Sequence, residues 1–448
     1  MRIVNRGLAS ALVAALLLAG PARAEISTDK SAAIVVFPAL AAGVGTALGM
    51  TGVADTIIQL TNASPHQIGV RCFLVNANSH CSNAGASGGG FTAPLVCLGD
   101  SDCNGGTGTG AITGGHCVPG WNETDFHFNL TGRQPIVWRL SEGLGVFPLD
   151  GATKVGPVDD DPNLPAELQG QPATNFDSKI PPAPEIPFIG ELKCVQVDIA
   201  SGRPAQGTDP ENNFAGDLMG QATLVFTTPA GDQLPAAGVA TDQTPRPPQP
   251  APPVDAASYN AIGMRAVPGA NDGDDTLLLG QEYDGCPNIL TLDHFFDGAT
   301  DPATGDSVFT FVVFVPCSEN FLLQNAGRVS TVLQFLVFNE FEQRLSTSKS
   351  VSCFDASLLS GIDTGLRFDL LDHLFLNSMF SAAVQGTLTG ETRIRPVDGS
   401  DPDRGDGMLA VAAEAHLGEL SSLGSAAMNV HTNGQRARPD VIVMPAAQ

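Results

Sequence analysis

Short apolar segments separated by turn residues run along most of the chain. They are rich in Val, Ile, Thr and Phe, and clusters of Gly, Pro, Asn and Asp separate them, which is typical of β-strands joined by tight turns. Strands are predicted at 56–60, 68–75, 124–130, 136–140, 192–199, 222–227, 277–279, 308–315, 331–338 and 383–394. Two other windows, 368–380 and 408–420, have apolar residues at helical spacing, and each predicts one short helix.

The pattern as a whole predicts a mainly β fold. We expect two sandwich-like units of the immunoglobulin or jelly-roll type, with long Gly- and Pro-rich loops and one or two short helices. Residues 25–304 would form an N-terminal unit and residues 305–448 a C-terminal unit.

Three insertions of different character interrupt the expected N-terminal unit. Residues 82–118 are rich in Gly and Cys, residues 150–187 are acidic and rich in Pro, and residues 228–256 contain the run PRPPQPAPP. The proline run predicts a stiff polyproline II segment. A solvated loop is favoured over a docking site for a proline-binding module, because no partner motif accompanies the run.

Two stretches of the chain repeat the same order of features. Residues 55–72 (DTIIQLTNASPHQIGVRC) and 331–353 (TVLQFLVFNEFEQRLSTSKSVSC) each hold an apolar strand, a polar turn and a second strand that ends in Cys. The match would align Cys72 with Cys353. Duplication of a sandwich unit explains it, and so does chance similarity between amphipathic strands.

The first residues have the features of an export signal. Arg2 and Arg6 give a basic start, residues 8–18 are an almost unbroken apolar run, and ARA at 22–24 fits a small-x-small cleavage site. Residues 1–24 are therefore predicted to be a cleaved signal peptide. The run is shorter than a membrane span, and no later stretch reaches spanning length without charges. We expect a secreted or periplasmic protein without a transmembrane segment.

The charge balance narrows the class of partner. The chain has 47 acidic and 22 basic residues, a formal net charge of −25. Nucleic-acid binding is not expected, because it requires a basic surface. A large acidic excess attracts divalent cations, and an extracellular protein or surface component is the expected kind of partner.

Nine cysteines in an exported chain predict disulfides. Four of them bracket the Gly-rich insertion: Cys81, Cys97, Cys103 and Cys117. This segment has too few apolar residues to form its own core, so two bridges among the four are expected. The alternative is a structural zinc site that also uses His80 and His116, and the sequence disfavours it because no CxxC pair is present.

The other five cysteines lie in or beside predicted strands. We expect Cys72 to pair with Cys194, because their two strands share the same apolar alternation. Within the C-terminal unit Cys317 would pair with Cys353. Cys286 would then be the odd thiol.

An acidic loop near the C-terminus is a candidate calcium site. The sequence DGSDPDRGDG at 398–407 brings four carboxylates together at short intervals with glycines for tight turns: Asp398, Asp401, Asp403 and Asp406. Hard cations such as calcium take oxygen ligands of this kind. A solvated acidic turn is the alternative, because the loop lacks the glutamate that ends an EF-hand. Calcium is the only cofactor that the sequence suggests.

Catalytic signals are sparse. The G-x-S-x-G match at 85–89 lies in a Gly/Ser/Asn run, without the strand and helix that an esterase elbow requires. Asp293 and His294 are adjacent, so their side chains should diverge on a strand. Glu340 and Glu342 alternate as if they shared one strand face, which would suit paired carboxylates.

Two classes of function follow from these observations. The favoured one is an exported, non-catalytic β-sandwich protein that serves surface or matrix attachment or ligand binding. The alternative is a secreted hydrolase whose acids and histidines converge only in the folded chain. A structure in which Glu or Asp lines one deep apolar cleft with His would favour the hydrolase, whereas flat faces and ordered cation loops would favour the binding protein.

Overall fold

The structure is a computed structural model that describes most of the chain after the predicted signal peptide. The described residues are 26–43, 52–97, 100–119, 122–144, 158–159, 180–199, 202–204, 216–227, 254–266, 276–322, 330–363, 377–397, 406–417, 423–436 and 438–445. Within them the fold is mainly β, with several antiparallel sheets, and this confirms the predicted fold class.

The strands are numbered in chain order. In the N-terminal half they are β1 (Ile34–Ala42), β2 (Gly52–Asn62), β3 (Ile68–Asn76), β4 (Ser79–Cys81), β5 (Ser87–Gly88), β6 (Phe91–Thr92), β7 (Val96–Cys97), β8 (Cys117–Pro119), β9 (Asn122–Leu130), β10 (Pro135–Arg139), β11 (Val158–Asp159), β12 (Phe188–Val197), β13 (Leu218–Thr227), β14 (Val254–Asn260) and β15 (Ile262–Met264). Short 3-10 helices lie at Asp100–Cys103 and Gly108–Gly110.

The C-terminal half continues the same numbering. Its strands are β16 (Thr276–Leu279), β17 (Ile289–Phe295), β18 (Ala299–Thr300), β19 (Ser307–Pro316), β20 (Glu319–Asn320), β21 (Ser330–Asn339), β22 (Arg344–Ser352), β23 (Asp355–Leu358), β24 (Thr389–Val397), β25 (Met408–Leu417), β26 (Leu423–Asn429), β27 (His431–Asn433) and β28 (Asp440–Val443). A 3-10 helix at Leu359–Gly361 and one short α-helix, α1 (Ala382–Gln385), complete the described elements.

The first sandwich packs a six-stranded sheet against a four-stranded sheet. Their strand orders are β11-β9-β3-β12-β1-β15 and β10-β2-β13-β14. The two sheets meet through Phe37 of β1, which is fully buried beside Gly220 of β13. A Cβ atom at Gly220 would lie 2.4 Å from the Phe37 ring, so the close approach requires glycine there.

The second sandwich packs two further sheets around an aromatic core. The five-stranded sheet has the order β22-β21-β24-β17-β27, and the facing sheet has the order β18-β19-β25-β26, with β23 also paired to β19. Phe314 and Phe335 meet edge to face across the two sheets, at a centroid distance of 5.8 Å. Strands β17 and β18 precede residue 304, the end of the predicted N-terminal unit, and pair with strands of this sandwich.

Apart from the two-residue strands β11 and β18, the two sandwiches have the same strand order. The larger sheets match when β9, β3, β12, β1 and β15 are replaced by β22, β21, β24, β17 and β27. The smaller sheets match when β10, β2, β13 and β14 are replaced by β23, β19, β25 and β26. We call two residues equivalent when they hold the same position in matching strand pairs.

Equivalent positions on the central strands carry similar residues. Asn76 pairs with Gly190 at the end of the β3–β12 ladder, and Asn339 pairs with Gly390 at the end of the β21–β24 ladder. From these glycines to their ends, β12 and β24 read GELKCVQV and GETRIRPV.

A side-chain hydrogen bond also recurs at equivalent positions. The Thr56 hydroxyl donates to the carbonyl of Ala41 at 2.7 Å, and the Thr310 hydroxyl donates to the carbonyl of Phe295 at 3.4 Å. Thr56 therefore links β2 to the end of β1, and Thr310 links β19 to the end of β17.

The sequence similarity between residues 55–72 and 331–353 does not match the structural equivalence of the two sandwiches. Cys72 on β3 is equivalent to Phe335 on β21, whereas Cys353 follows β22. Residues 55–72 cross from one sheet to the other, while 331–353 form a hairpin within one sheet. Amphipathic strands share the same alternation in either arrangement, so the pattern alone does not fix the alignment.

The helix predicted at 408–420 is wrong, because Met408–Leu417 is strand β25. Neighbours β19 and β26 bond to both of its edges, and residues 408–415 are buried. Alanine favours a helix, but tertiary packing overrides this intrinsic preference in β25. The helix predicted at 368–380 falls mostly outside the described residues, and 377–380 form a turn before α1.

Four disulfides are present among the described residues. They join Cys72 to Cys194, Cys81 to Cys103, Cys97 to Cys117, and Cys286 to Cys317. The first three agree with the expected tie between strands and the expected pair of bridges in the insertion.

The predicted Cys317–Cys353 bridge is wrong. Cys317 follows β19 and meets Cys286, which precedes β17, beside Asp440 of β28. Cys353 lies in the turn after β22, where it is buried and forms no disulfide.

A small sheet joins the two sandwiches. Its order is β16-β28-β20, and the segment around β20 contacts the six-stranded sheet through Glu319 and Phe321. Lys193 of β12 lies fully buried between Glu191 and Glu319, at 2.9 Å from the Glu191 carboxylate. Phe321 stacks on Phe73 at a centroid distance of 4.3 Å.

Replacing Lys193 by Met tests this contact. The change leaves two carboxylates buried without their cation, so we expect a loss of about 3–5 kcal/mol in the free energy of unfolding, measured by denaturant titration. Arg393→Met at the equivalent, exposed position should cost less than about 1 kcal/mol. Equal losses in the two variants would contradict a special role for the buried ion cluster.

Candidate functional site

A pocket opens at one end of the five-stranded sheet in the second sandwich. Its volume is about 560 Å³. Strands β17, β21 and β24 and the turn after β21 form most of its wall, and β25 contributes from the facing sheet. The lining residues are Asp293, His294, Phe295, Phe338, Asn339, Glu340, Thr389, Gly390, Glu391 and Glu414.

The lining is strongly acidic. Asp293, Glu340, Glu391 and Glu414 contribute four acidic residues to the lining, and among the described lining residues the only basic one is His294. The nearby Arg393 directs its Nε atom to the Glu391 carboxylate at 2.7 Å. Negative charge in the pocket therefore exceeds positive charge.

Glu340 is held in place by the backbone opposite it. Its Oε1 atom accepts hydrogen bonds from the Thr389 N–H at 2.9 Å, the Thr389 hydroxyl at 2.9 Å and the Leu388 N–H at 3.2 Å. The bonds from the Thr389 N–H and hydroxyl lower the pKa of Glu340, so this side chain is ionised. None of these three bonds involves its second oxygen.

His294 forms a neutral wall of the pocket. The Nδ1 atom lies 2.9 Å from the Phe295 carbonyl and therefore donates to it, while Nε2 accepts from the Thr392 hydroxyl at 2.8 Å. Burial lowers the pKa of His294 to about 4. Both ring nitrogens are thus engaged, and the ring is uncharged near neutral pH.

Glu414 differs from Glu340 in its surroundings. It projects from the buried strand β25 and is only 9% exposed. Burial raises the pKa of Glu414, and His416 opposes part of this effect. The pocket therefore contains one carboxyl group with a lowered pKa and one with a raised pKa.

The first sandwich lacks this polar lining. His294 pairs with Gly390 as Leu40 pairs with Gly190, and Glu414 pairs with Thr310 as Leu224 pairs with Thr56. The pocket residues His294, Glu340, Thr389 and Glu414 are equivalent to Leu40, Ala77, Ile189 and Leu224. At these four positions, the second sandwich has acidic or polar residues and the first has aliphatic ones.

The carboxylates predicted to share a strand face have other positions. Glu340 and Glu342 lie in the turn between β21 and β22, and Glu342 has a positive φ of 60°. The alternation of a strand does not apply in this turn. Asp293 and His294 diverge as expected, with Asp293 exposed and His294 buried.

The predicted calcium loop falls mainly outside the described residues. This applies to Asp398, Asp401 and Asp403. Asp406 is described, and its carboxylate lies 3.6 Å from the Arg438 guanidinium. Calcium binding at this loop stays a prediction.

The cysteines of the Gly-rich insertion are not arranged as zinc ligands. Their two disulfides pack against each other, so these sulfur atoms are oxidised rather than thiolates. The two candidate histidine ligands have carboxylate partners instead: His80 lies 2.8 Å from Glu185, and His116 lies 3.0 Å from Asp100.

Comparison of the chain with protein-family models, curated proteins and solved structures finds no match. Among the described residues, no helix has the length and apolar character needed to cross a membrane.

The buried His294 makes stability depend on pH. Its folded pKa of about 4 is below the ordinary value of 6.5, so its contribution is complete above pH 6.5 and is lost as the pH falls towards 4. The loss should reach about 3 kcal/mol, since each pKa unit is worth about 1.4 kcal/mol.

Urea titrations at pH 7 and pH 4.5 measure this effect. His294→Gln should reduce the difference in stability between the two pH values, whereas His431→Gln, at an exposed position on β27, should preserve it. A pH difference unchanged by His294→Gln would show that other groups cause it.

Proposed function

We propose that this chain is an exported, non-catalytic β-sandwich protein that binds a positively charged ligand in the acidic pocket. The observation that carries the proposal is the gathering of four carboxylates around one cavity. A ligand bearing amine or guanidinium groups would offset this charge and donate hydrogen bonds to the available carboxylate oxygens.

Export is supported by two features of the chain. The basic and apolar start at 1–24 has the organisation of a signal peptide. Four disulfides are characteristic of an oxidising compartment. We place the protein in the periplasm or outside the cell, where the loop at 398–407 would have access to calcium.

An internal duplication accounts for the architecture. The support comes from the shared strand order, the matching ladders that end at Asn76 and Asn339, and the recurring threonine hydrogen bond. The pocket lies in the second sandwich, where acidic or polar residues replace aliphatic residues of the first. This difference supports a ligand-binding role for the second sandwich.

A secreted hydrolase is the second candidate. The favouring observation is the contrast between Glu340, whose pKa is lowered, and Glu414, whose pKa is raised, in a single pocket. Glycosidases use such a contrast to provide one carboxylate and one carboxylic acid.

Calorimetric titration with spermidine tests the binding proposal. We expect saturable binding that weakens as salt is added, with a Kd at least about tenfold higher in the Asp293→Asn/Glu414→Gln double variant, about 1.4 kcal/mol. Glu142→Gln, a charge change on the exposed surface of the first sandwich, serves as the control. Equal affinity in the double variant and the wild type would refute the pocket as the site.

A panel of nitrophenyl glycosides and esters tests the hydrolase candidate. Turnover with a bell-shaped pH profile would favour that candidate, provided that Glu414→Gln removes the limb at higher pH. Spermidine binding without turnover of any substrate in the panel would favour the binding protein.

A further inference from the structure

The outer face of the five-stranded sheet in the second sandwich is open to solvent. It presents Gln334, Leu336 and Phe338 from β21 and Glu391, Arg393 and Arg395 from β24, and all six are exposed or half-buried. We call these six residues the second outer face. We propose that it docks an extended segment of a partner protein that carries a carboxylate and an aromatic side chain.

The first sandwich shows how such a face is covered. Its equivalent residues are Arg71, Phe73, Val75, Glu191, Lys193 and Val195, and all are buried. The covering chain is the short extended segment around β20. It supplies Glu319 to Lys193 and stacks Phe321 on Phe73. A carboxylate and an aromatic ring thus lie two residues apart on one strand-like segment.

The second outer face keeps the ionic part of this arrangement. Glu391 and Arg393 are equivalent to Glu191 and Lys193, and the two carboxylate-to-cation distances are 2.7 Å and 2.9 Å. The Arg393 side chain is 55% exposed, whereas that of Lys193 is fully buried. The ion pair within one strand is therefore present in both sandwiches. Among the described residues, no segment covers it in the second sandwich.

The apolar part also recurs in modified form. Leu336 replaces Phe73, and the Arg393 guanidinium lies over the Phe338 ring at 5.4 Å from its centroid. An aromatic side chain from a partner would pack on Leu336 beside this ring. The face offers the same combination of one cation and one apolar surface that Phe321 and Glu319 use elsewhere in the chain.

Charge selects the partner. The chain as a whole has a formal net charge of −25, yet this sheet face carries Arg393 and Arg395, and Arg344 lies beside Phe338 on β22. Arginine forms two parallel hydrogen bonds with a carboxylate, which favours an acidic segment over a basic or neutral one.

Fluorescence polarisation with a labelled peptide tests the proposal on the full chain. The probe is Ser-Glu-Asn-Phe-Leu, the sequence of residues 318–322. We expect saturable binding that weakens at least about tenfold in Arg393→Ala. Arg139→Ala, an exposed arginine on β10 of the first sandwich, should leave the affinity unchanged. A peptide with Gln for Glu and Ser for Phe should bind at least about tenfold more weakly.

Several results would overturn the proposal. These are no saturation up to about 1 mM peptide, affinity unchanged by Arg393→Ala, or equal binding of the substituted peptide. A concentration-dependent dimer that Arg393→Ala dissociates, measured by sedimentation, would instead identify a second copy of this chain as the occupant. The pocket variant Glu414→Gln, which changes a residue on the facing sheet, should retain peptide binding, so failure of the pocket proposal and failure of this one are distinguishable.

Discussion

The burial of Lys193 between Glu191 and Glu319 constrains how the two sandwiches are joined. One ammonium and two carboxyl groups meet at a site where the side chains of Lys193 and Glu191 are fully buried and that of Glu319 is 10% exposed. Burial, together with repulsion from Glu319, raises the pKa of Glu191 well above its usual value. Desolvation opposes the charge of Lys193, but the two glutamates outweigh it and raise the pKa of Lys193. Each ion is tolerable only while the others are present, so the linking segment that carries Glu319 must stay on the first sandwich.

Around this junction the two sandwiches use one framework differently. In the first, the connection from β3 to β9 carries the disulfide-bonded insertion, and the outer sheet face is covered by the linking segment. In the second, the matching connection is a short turn at residues 340–343, whose Glu340 reaches back to Thr389 and forms part of the pocket. The pocket and the open sheet face therefore occur on the same sandwich for related reasons. Among the described residues, neither an insertion nor a linking segment fills that space.

Local patterns in the sequence were sufficient for the fold class but not for long-range partners. Alternation predicted most of the long strands, and the shared pattern around Cys72 and Cys194 predicted their bridge. Strand β25 was missed because its buried alanines suit a helix locally, and only its neighbours β19 and β26 make it a strand. Glu414 was not predicted as a pocket residue either. It lies on β25, and the helix assignment of this segment did not place it beside the residues of β17 and β24. Cys286 and Cys317 meet because both flank the small joining sheet, which no local pattern indicates.

The two central ladders also show why one sandwich has a disulfide where the other has an apolar pair. Cys72 and Cys194 are separated by 122 residues, and closing a loop of that size in the unfolded chain corresponds to about 5 kcal/mol of conformational entropy. The equivalent Phe335 and Ile394 enclose a much shorter segment and are fully buried. Packing of these two side chains contributes roughly 1.5–3 kcal/mol each. A covalent link is therefore most effective in the sandwich whose sheet is interrupted by long insertions, while side-chain packing alone stabilises the shorter ladder.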